Sequence, residues 1–267
     1  MPNRRSRRLA VLSLVALLSV LSLQAGQAAS ATQRSHAAAS TQLTIYAAAS
    51  LTNVFPAIDP NEKYSFAGSN ALAAQITQGA PADVFASANM TLPTGLNQKG
   101  LCSKPVVFTR NTLVVVVPKS NPAHIHNIYD LAKPGVKVDI AAPGVPVGTY
   151  TLQVLNNMNL KAAVLKNVVS QETDVREVLA KVALGEADAG FVYSTDAKTV
   201  VGKVGVIKVP AWAQPKVQYG ICVVSKSPNK SAAQAFIKLV LSKTGQKELH
   251  KFGFLARVKP APKKHKK

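Results

Sequence analysis

Short apolar runs alternate with stretches of helical periodicity from residue 43 onward. Residues 43–47 and 64–66 read as strands, and 51–58 as a helical turn or two. Over 70–78, Leu72, Ala73 and Ile76 share one helical face, and Gly79 ends the helix. A short third strand is expected at 83–86. Residues 113–117 are one Leu followed by four Val, the pattern of a strand buried on both faces, and Pro118 stops it. The second half repeats the style. A strand is predicted at 136–141 and a helix at 150–157. Val175, Val178, Leu179 and Val182 make an apolar helical face over 175–184, with Gly185 as its cap. Strands follow at 190–193, 204–209 and 217–224. The last helix is expected over 231–249, with Ser231 as cap and Ala235, Phe236, Leu239 and Val240 on its buried face.

Strands alternating with helices imply largely parallel sheets covered by helices. The Pro- and Asn-containing stretch 119–134 suits a crossing between two lobes, and a second crossing is expected near 214–217. The expected fold is therefore α/β, with two lobes, each a mostly parallel sheet flanked by helices, joined by a hinge. Lobe 1 would be discontinuous (43–117 plus 217–257) and lobe 2 would span 118–216. No internal repeat is visible.

The ends differ from this body. Arg4, Arg5, Arg7 and Arg8 precede an apolar run at 9–23 and a small-residue stretch at 25–31, the order of a secretory signal peptide. The run is shorter than the ~20 residues of a spanning helix. Residues 1–31 are assigned as the signal and 32–42, rich in Ala, Ser, Thr and Gln, as a linker. Residues 258–267 read as a basic, solvated tail. The formal charge of +20 falls to +16 without the four leader arginines and to near +10 without the six cations from Arg257 onward. Such a charge suggests nucleic acid first. In an exported chain with scattered lysines it suits attraction of an anionic solute better.

Aromatic residues are 6% of the chain, so the core must rely on Val, Leu, Ile and Ala. Export permits a disulfide between Cys102 and Cys222, and two buried thiols are the alternative. Two isolated Cys and five scattered His make no zinc pattern. No direct metal-cation ligands and no cofactor are expected.

Four short segments share a character: 48–51, 68–71, 145–150 and 173–176. Each is small or polar, follows a strand and opens a helix. Free amides and the helix dipole make such starts ready anion sites, and open α/β sheets place ligands beside the carboxyl ends of their strands. Ser50 and Ser69 add hydroxyl donors. A serine before a helix is usually only a cap, so the joint order is what informs.

That order resembles the periplasmic molybdate-binding proteins of ABC transporters, with the type II solute-binding fold, over about 43–254. The matching pieces are Tyr46-Ala47-Ala48-Ala49-Ser50-Leu51, Phe66-Ala67-Gly68-Ser69 and Gly79-Ala80-Pro81-Ala82-Asp83. Val145-Pro146-Val147-Gly148-Thr149-Tyr150, Asp174-Val175-Arg176 and Val192-Tyr193-Ser194-Thr195-Asp196 continue them. The resemblance implies that Ser50 and Ser69 bind an oxyanion through hydroxyl and amide, Val147 and Val175 through amides, and Tyr193 through its hydroxyl. The implied ligand is molybdate or tungstate, and the implied partner is the membrane permease of the transporter. The protein would act as a monomer in the periplasm or at the cell surface. Val147 stands where alanine is common, and Gly68 and Asn70 flank Ser69 where serines are frequent.

These oxyanions are dianions that offer only acceptors, so neutral donors satisfy them. Phosphate carries a hydroxyl that such a site leaves unpaired. Sulfate differs mainly in size and remains the alternative ligand. A serine hydrolase using Ser50 or Ser69 would need a base, but none of His36, His124, His126, His250 and His265 is near the four segments in sequence, and no Gly-x-Ser-x-Gly elbow is present. An adhesion role would rest on the basic tail. Asp83 is read as fixing a turn, Asp196 as a cap or hinge brace, and Asp174 and Arg176 as a pair.

Overall fold

The computed structural model describes residues 42–257. The expected signal segment 1–31, residues 32–41 of the expected linker and the tail 258–267 lie outside the described residues. Strands β1 (Thr44–Ala48), β2 (Lys63–Ala67), β3 (Val84–Ser87) and β4 (Val106–Asn111) enter a first sheet. Strands β5 (Leu113–Pro118), β6 (Val138–Ala141), β7 (Val168–Glu172), β8 (Ala189–Tyr193) and β9 (Val204–Lys208) build a second. Strand β10 (Val217–Val223) returns to the first. The orders are β2-β1-β3-β10-β4 and β7-β6-β8-β5-β9. Helices α1 (Val54–Ile58), α2 (Ser69–Thr77) and α3 (Thr91–Gln98) belong to the first lobe. The second carries α4 (Pro146–Asn157), α5 (Lys161–Leu165), α6 (Val175–Leu184) and α7 (Ser194–Ala197). Helices α8 (Lys230–Leu241) and α9 (Lys243–Lys251) pack back on the first.

Both sheets are mixed. β1 pairs in parallel with β2 and β3, and β6 with β7 and β8. The strand arriving from the other lobe is antiparallel to both of its neighbours: β10 to β3 and β4, β5 to β8 and β9. The parallel strands point their carboxyl ends toward the opposite lobe. A chain crossing over therefore enters at that edge and has to run away from it. Four strands of each sheet share one direction and one opposes it.

The crossing point differs from the expected one. Leu113–Pro118 was expected to close lobe 1, but it is a central strand of the second sheet. Only Thr112 separates it from β4. The all-apolar run would satisfy either sheet, and its pairing with β8 and β9 decides. The stretch 119–134 lies within the second lobe, where Ile125, Ile128 and Leu131 are buried. Its 3-10 turn Ile128–Ala132 is closed by a capping box between Asn127 and Asp130. The return crossing precedes β10. There the Gln214 side chain accepts from Leu113 N (3.0 Å) and donates to Leu113 O (2.7 Å), tying the two crossing strands together.

Helix α6 follows its sequence signals. Asp174 caps it, Val175, Val178, Leu179 and Val182 are buried, and Gly185 closes it at φ +78°. The expected helix 231–249 breaks at Ser242, whose hydroxyl accepts from Gly245 N and starts α9. Helix α8 starts at Lys230, so Ser231 is not its cap, and Ala235 is exposed while Ala233, Phe236 and Val240 are buried. Strand β7 and helix α3 escape the sequence pattern. β7 is an edge strand that buries only alternate residues, without a continuous apolar run.

The few aromatics are concentrated at the centre. Phe55, Phe85, Phe108, Phe191, Tyr193 and Tyr219 are among the largest fully buried side chains. Cys102 and Cys222 form a disulfide across a sequence separation of 120, joining the segment after α3 to β10 within a buried cluster that includes Leu72, Phe85 and Leu96. Closing so long a loop restricts the unfolded chain strongly. Replacing both cysteines by serine is expected to lower unfolding free energy by about 2–5 kcal/mol, measured by urea denaturation against the oxidised wild type.

Candidate functional site

The four segments singled out in the sequence emerge at neighbouring strand ends, two in each lobe. β1 runs into the 3-10 turn Ala49–Leu51, and β2 into α2, which starts at Ser69. In the other lobe β6 leads to α4, with Pro146 at its first turn, and β7 leads to α6. β1 and β2 are adjacent parallel strands, as are β6 and β7. Four segments at the carboxyl ends of two facing pairs converge by topology. The first opens a 3-10 turn rather than an α-helix.

Ser50, Ser69, Val147, Val175 and Tyr193 all line one cleft between the lobes, together with Ala88, Pro146 and others. All five are buried. The cavity volume is about 10 Å³, on the order of one water by this measure and far below the roughly 300–1,000 Å³ of pockets for drug-sized molecules. It is a space for a few heavy atoms. Ser69 and Val175 are the first residues of α2 and α6, and Val147 is the second of α4. Amides at such positions have no acceptor inside their own helix. Asp174 is a carboxylate on the cleft, but its Oδ1 accepts from Arg176 N (2.6 Å) and Glu177 N (3.2 Å). The cap thus occupies the second and third amides of α6 and leaves the first, that of Val175, to the cleft.

The hydroxyls are held from behind by hydrogen bonds. Ser69 Oγ accepts from Ala88 N at 3.1 Å, so its own proton is left to donate. Behind Ser50 lies a chain that begins at Asn111. Its Oδ1 accepts from Thr112 N (2.9 Å) and Ser194 Oγ (3.0 Å). That fixes its Nδ2 as donor to Thr195 Oγ1 (2.9 Å) and Tyr219 Oη (3.4 Å). Tyr219 Oη and Ser50 Oγ share a hydrogen bond at 2.9 Å in which either hydroxyl can donate. Tyr193 Oη is buried without a protein partner. Burial pushes the hydroxyls of Tyr193 and Tyr219 well above the ordinary tyrosine range, so both keep their protons. The site offers donors.

Sequence reasoning missed Tyr219 and Asn111 as parts of this arrangement, because Tyr219 meets Ser50 across 169 residues. Asp196 is fully buried and meets Arg176 Nε at 2.8 Å, without the alignment of a hydrogen bond. Arg176 was expected to pair with Asp174 but reaches Asp196 instead, since Asp174 is turned onto the helix start. Burial outweighs the guanidinium and raises the Asp196 carboxyl to about 7. Asp83 braces the first lobe, accepting from Thr44 N, Ser227 Oγ and Asn229 Nδ2. His124, His126 and His250 are exposed. Neither Ser50 nor Ser69 has a His or carboxylate partner among the described hydrogen bonds. Among the described residues no cluster fit to hold a metal cation occurs.

Comparison with known proteins gives the arrangement a lineage. Residues 43–255 match the family described as bacterial extracellular solute-binding protein. The chain is similar to the molybdate-binding protein ModA of Mycobacterium tuberculosis, 36% identical over 220 residues, or 79% of this chain and 83% of the relative. It is similar in structure to the substrate-binding domain of a putative molybdenum ABC transporter from Clostridium difficile, at TM-score 0.59 and 31% identity, covering 81% of this chain and 99% of that one. The periplasmic molybdate-binding protein of Azotobacter vinelandii shares the fold at TM-score 0.71 and 20% identity, over 81% and 100% of the two chains.

A second buried carboxyl lies in the sheet beneath α6. Asp139 on β6 is fully buried with both oxygens unpartnered. Burial, reinforced by the Glu172 carboxylate, raises it to about 7 from 3.8. A carboxyl raised on folding binds its proton more tightly in the native state. Its contribution to stability is present below about pH 4 and is lost as pH rises through about 7. Asp139→Asn is expected to flatten the fall in unfolding free energy between pH 4 and 7, read from urea denaturation at several pH values. An unchanged slope would assign the fall to other groups, Asp196 first.

Proposed function

The chain belongs to the bacterial extracellular solute-binding protein family, and from that premise we propose that it captures molybdate or tungstate for uptake by an ABC transporter. It is a solute-binding protein and not an enzyme. The observation that carries the ligand class is the set of donors converging on the small interlobe cleft, whose one carboxylate, Asp174, is turned onto the amides of α6. Ser50, Ser69 and Tyr193 present hydroxyl protons, and Ser50, Ser69, Val147 and Val175 present amides at turn and helix starts. A fully deprotonated tetrahedral dianion has only acceptors and fits this set. Its charge is met by aligned amides and by the starts of α2, α4 and α6, with no cationic side chain among the lining residues.

The relatives named for molybdate support the choice of metal oxyanion over sulfate. The same donors suit sulfate, so size has to exclude it. The leader 1–31 supports export, and handover to a membrane permease follows from the family. Binding between two lobes joined at Thr112 and Gln214 is suited to closure around the anion.

Calorimetric titration should show heat with molybdate and tungstate and none with phosphate at the same concentration. At 100-fold excess over Kd the ligand adds about 2.7 kcal/mol to stability, visible as a raised Tm. No binding of either metal oxyanion overturns the reading, and tighter binding of sulfate reassigns the ligand. Ser50→Ala removes one hydrogen bond to a charged ligand and should weaken binding roughly 10- to 100-fold. Unchanged affinity would take Ser50 out of the site.

A further inference from the structure

Two contacts join the lobes beside the cleft without touching its lining hydroxyls. On one side the backbone of Gly68, before α2, lies so close to Thr173 that a Cβ on Gly68 would overlap the Thr173 carbonyl oxygen. In the second contact Arg176 Nη2 donates to Asn53 Oδ1 at 2.6 Å. Asn53 precedes α1 in the first lobe, three residues after Ser50. Arg176 is the second residue of α6 in the other lobe, next to Val175. Each end of this hydrogen bond therefore sits on a segment that supplies donors to the cleft.

The guanidinium is held for this contact. Its Nε lies 2.8 Å from the buried Asp196 carboxyl at the start of α7. A long arginine side chain loses much rotamer freedom when it is fixed. Here Asp196 fixes it within the second lobe, before any contact with the first. The remaining nitrogen then meets Asn53 with little further ordering. Asn53 is exposed and its side chain makes no cap hydrogen bond to α1, whose buried residues are Val54 and Phe55.

We propose that Asn53 and Arg176 form a latch that holds the lobes closed over the bound anion, with Asp196 as the positioning residue for the guanidinium. The inference rests on the anion-binding reading above. A contact that exists only when the lobes meet stabilises the closed state and slows opening. It leaves the encounter of ligand with the open cleft nearly unchanged.

The test loads the full-length mature protein with radiolabelled molybdate and chases with unlabelled molybdate. Asn53→Ala should release the label roughly three- to tenfold faster, the range for one net hydrogen bond. Its association rate and ligand-free Tm should stay those of the wild type. In an Arg176→Gln background the same Asn53→Ala change should add no further acceleration, because the partner is already gone. Release by Asn53→Ala within twofold of wild type overturns the latch, as does an equal acceleration in both backgrounds. A wild-type protein that never retains the label overturns the anion reading itself, which is a separate result.

Discussion

An anion can be buried without a cationic side chain only if enough fixed donors converge on it. Isolated charges are costly to remove from water, and aligned hydrogen bonds have to replace the lost hydration. Backbone amides at helix and turn starts are suited to this because they lack partners in their own segment. A single start cannot surround a tetrahedron. Two pairs of adjacent parallel strands, β1 with β2 and β6 with β7, bring four starts to one point. The direction of the remaining strands follows from serving that point. β5 and β10 enter their sheets from the cleft edge and are therefore reversed.

Donor geometry also needs donor polarity, since a hydroxyl can give or accept. The protein assigns the direction from behind. Ala88 N occupies the acceptor side of Ser69, and the chain from Asn111 through Tyr219 reaches Ser50 Oγ. Asn111 ends β4, next to Thr112 at the first crossing, and also binds Thr195 of the second lobe. The element that joins the lobes is thus the one that lies behind Ser50 through Tyr219. Charged groups are kept off the cleft or paired: Asp174 on the amides of α6, Arg176 between Asp196 and Asn53.

Much of the fold was legible because local rules act within each segment. The alternation of strands and helices, the α6 cap at Asp174 and its stop at Gly185 follow from side-chain and backbone preferences of neighbouring residues. The break at Ser242 and the edge strand β7 were not legible. The apolar pattern runs through the first, and the second has only alternate burial. The Val-rich strand was recognised but assigned to the wrong lobe, since its composition is neutral between two sheets and pairing with Tyr193 and Ile207 decides.

By itself the sequence determined which segments follow strands with small or polar turns, and so where free amides and the hydroxyls of Ser50 and Ser69 would be found, while Val147, Val175 and Tyr193 were singled out by the resemblance to molybdate-binding proteins. These are local properties, set by a residue and its immediate neighbours. Only the tertiary structure decided that the five share one cleft, that Tyr219 and Asn111 lie behind Ser50, that Cys102 meets Cys222, and that Arg176 reaches across to Asn53. Those contacts join residues separated by 108 to 169 positions. No pattern within a segment encodes them, because they arise from how two sheets place their strand ends against each other.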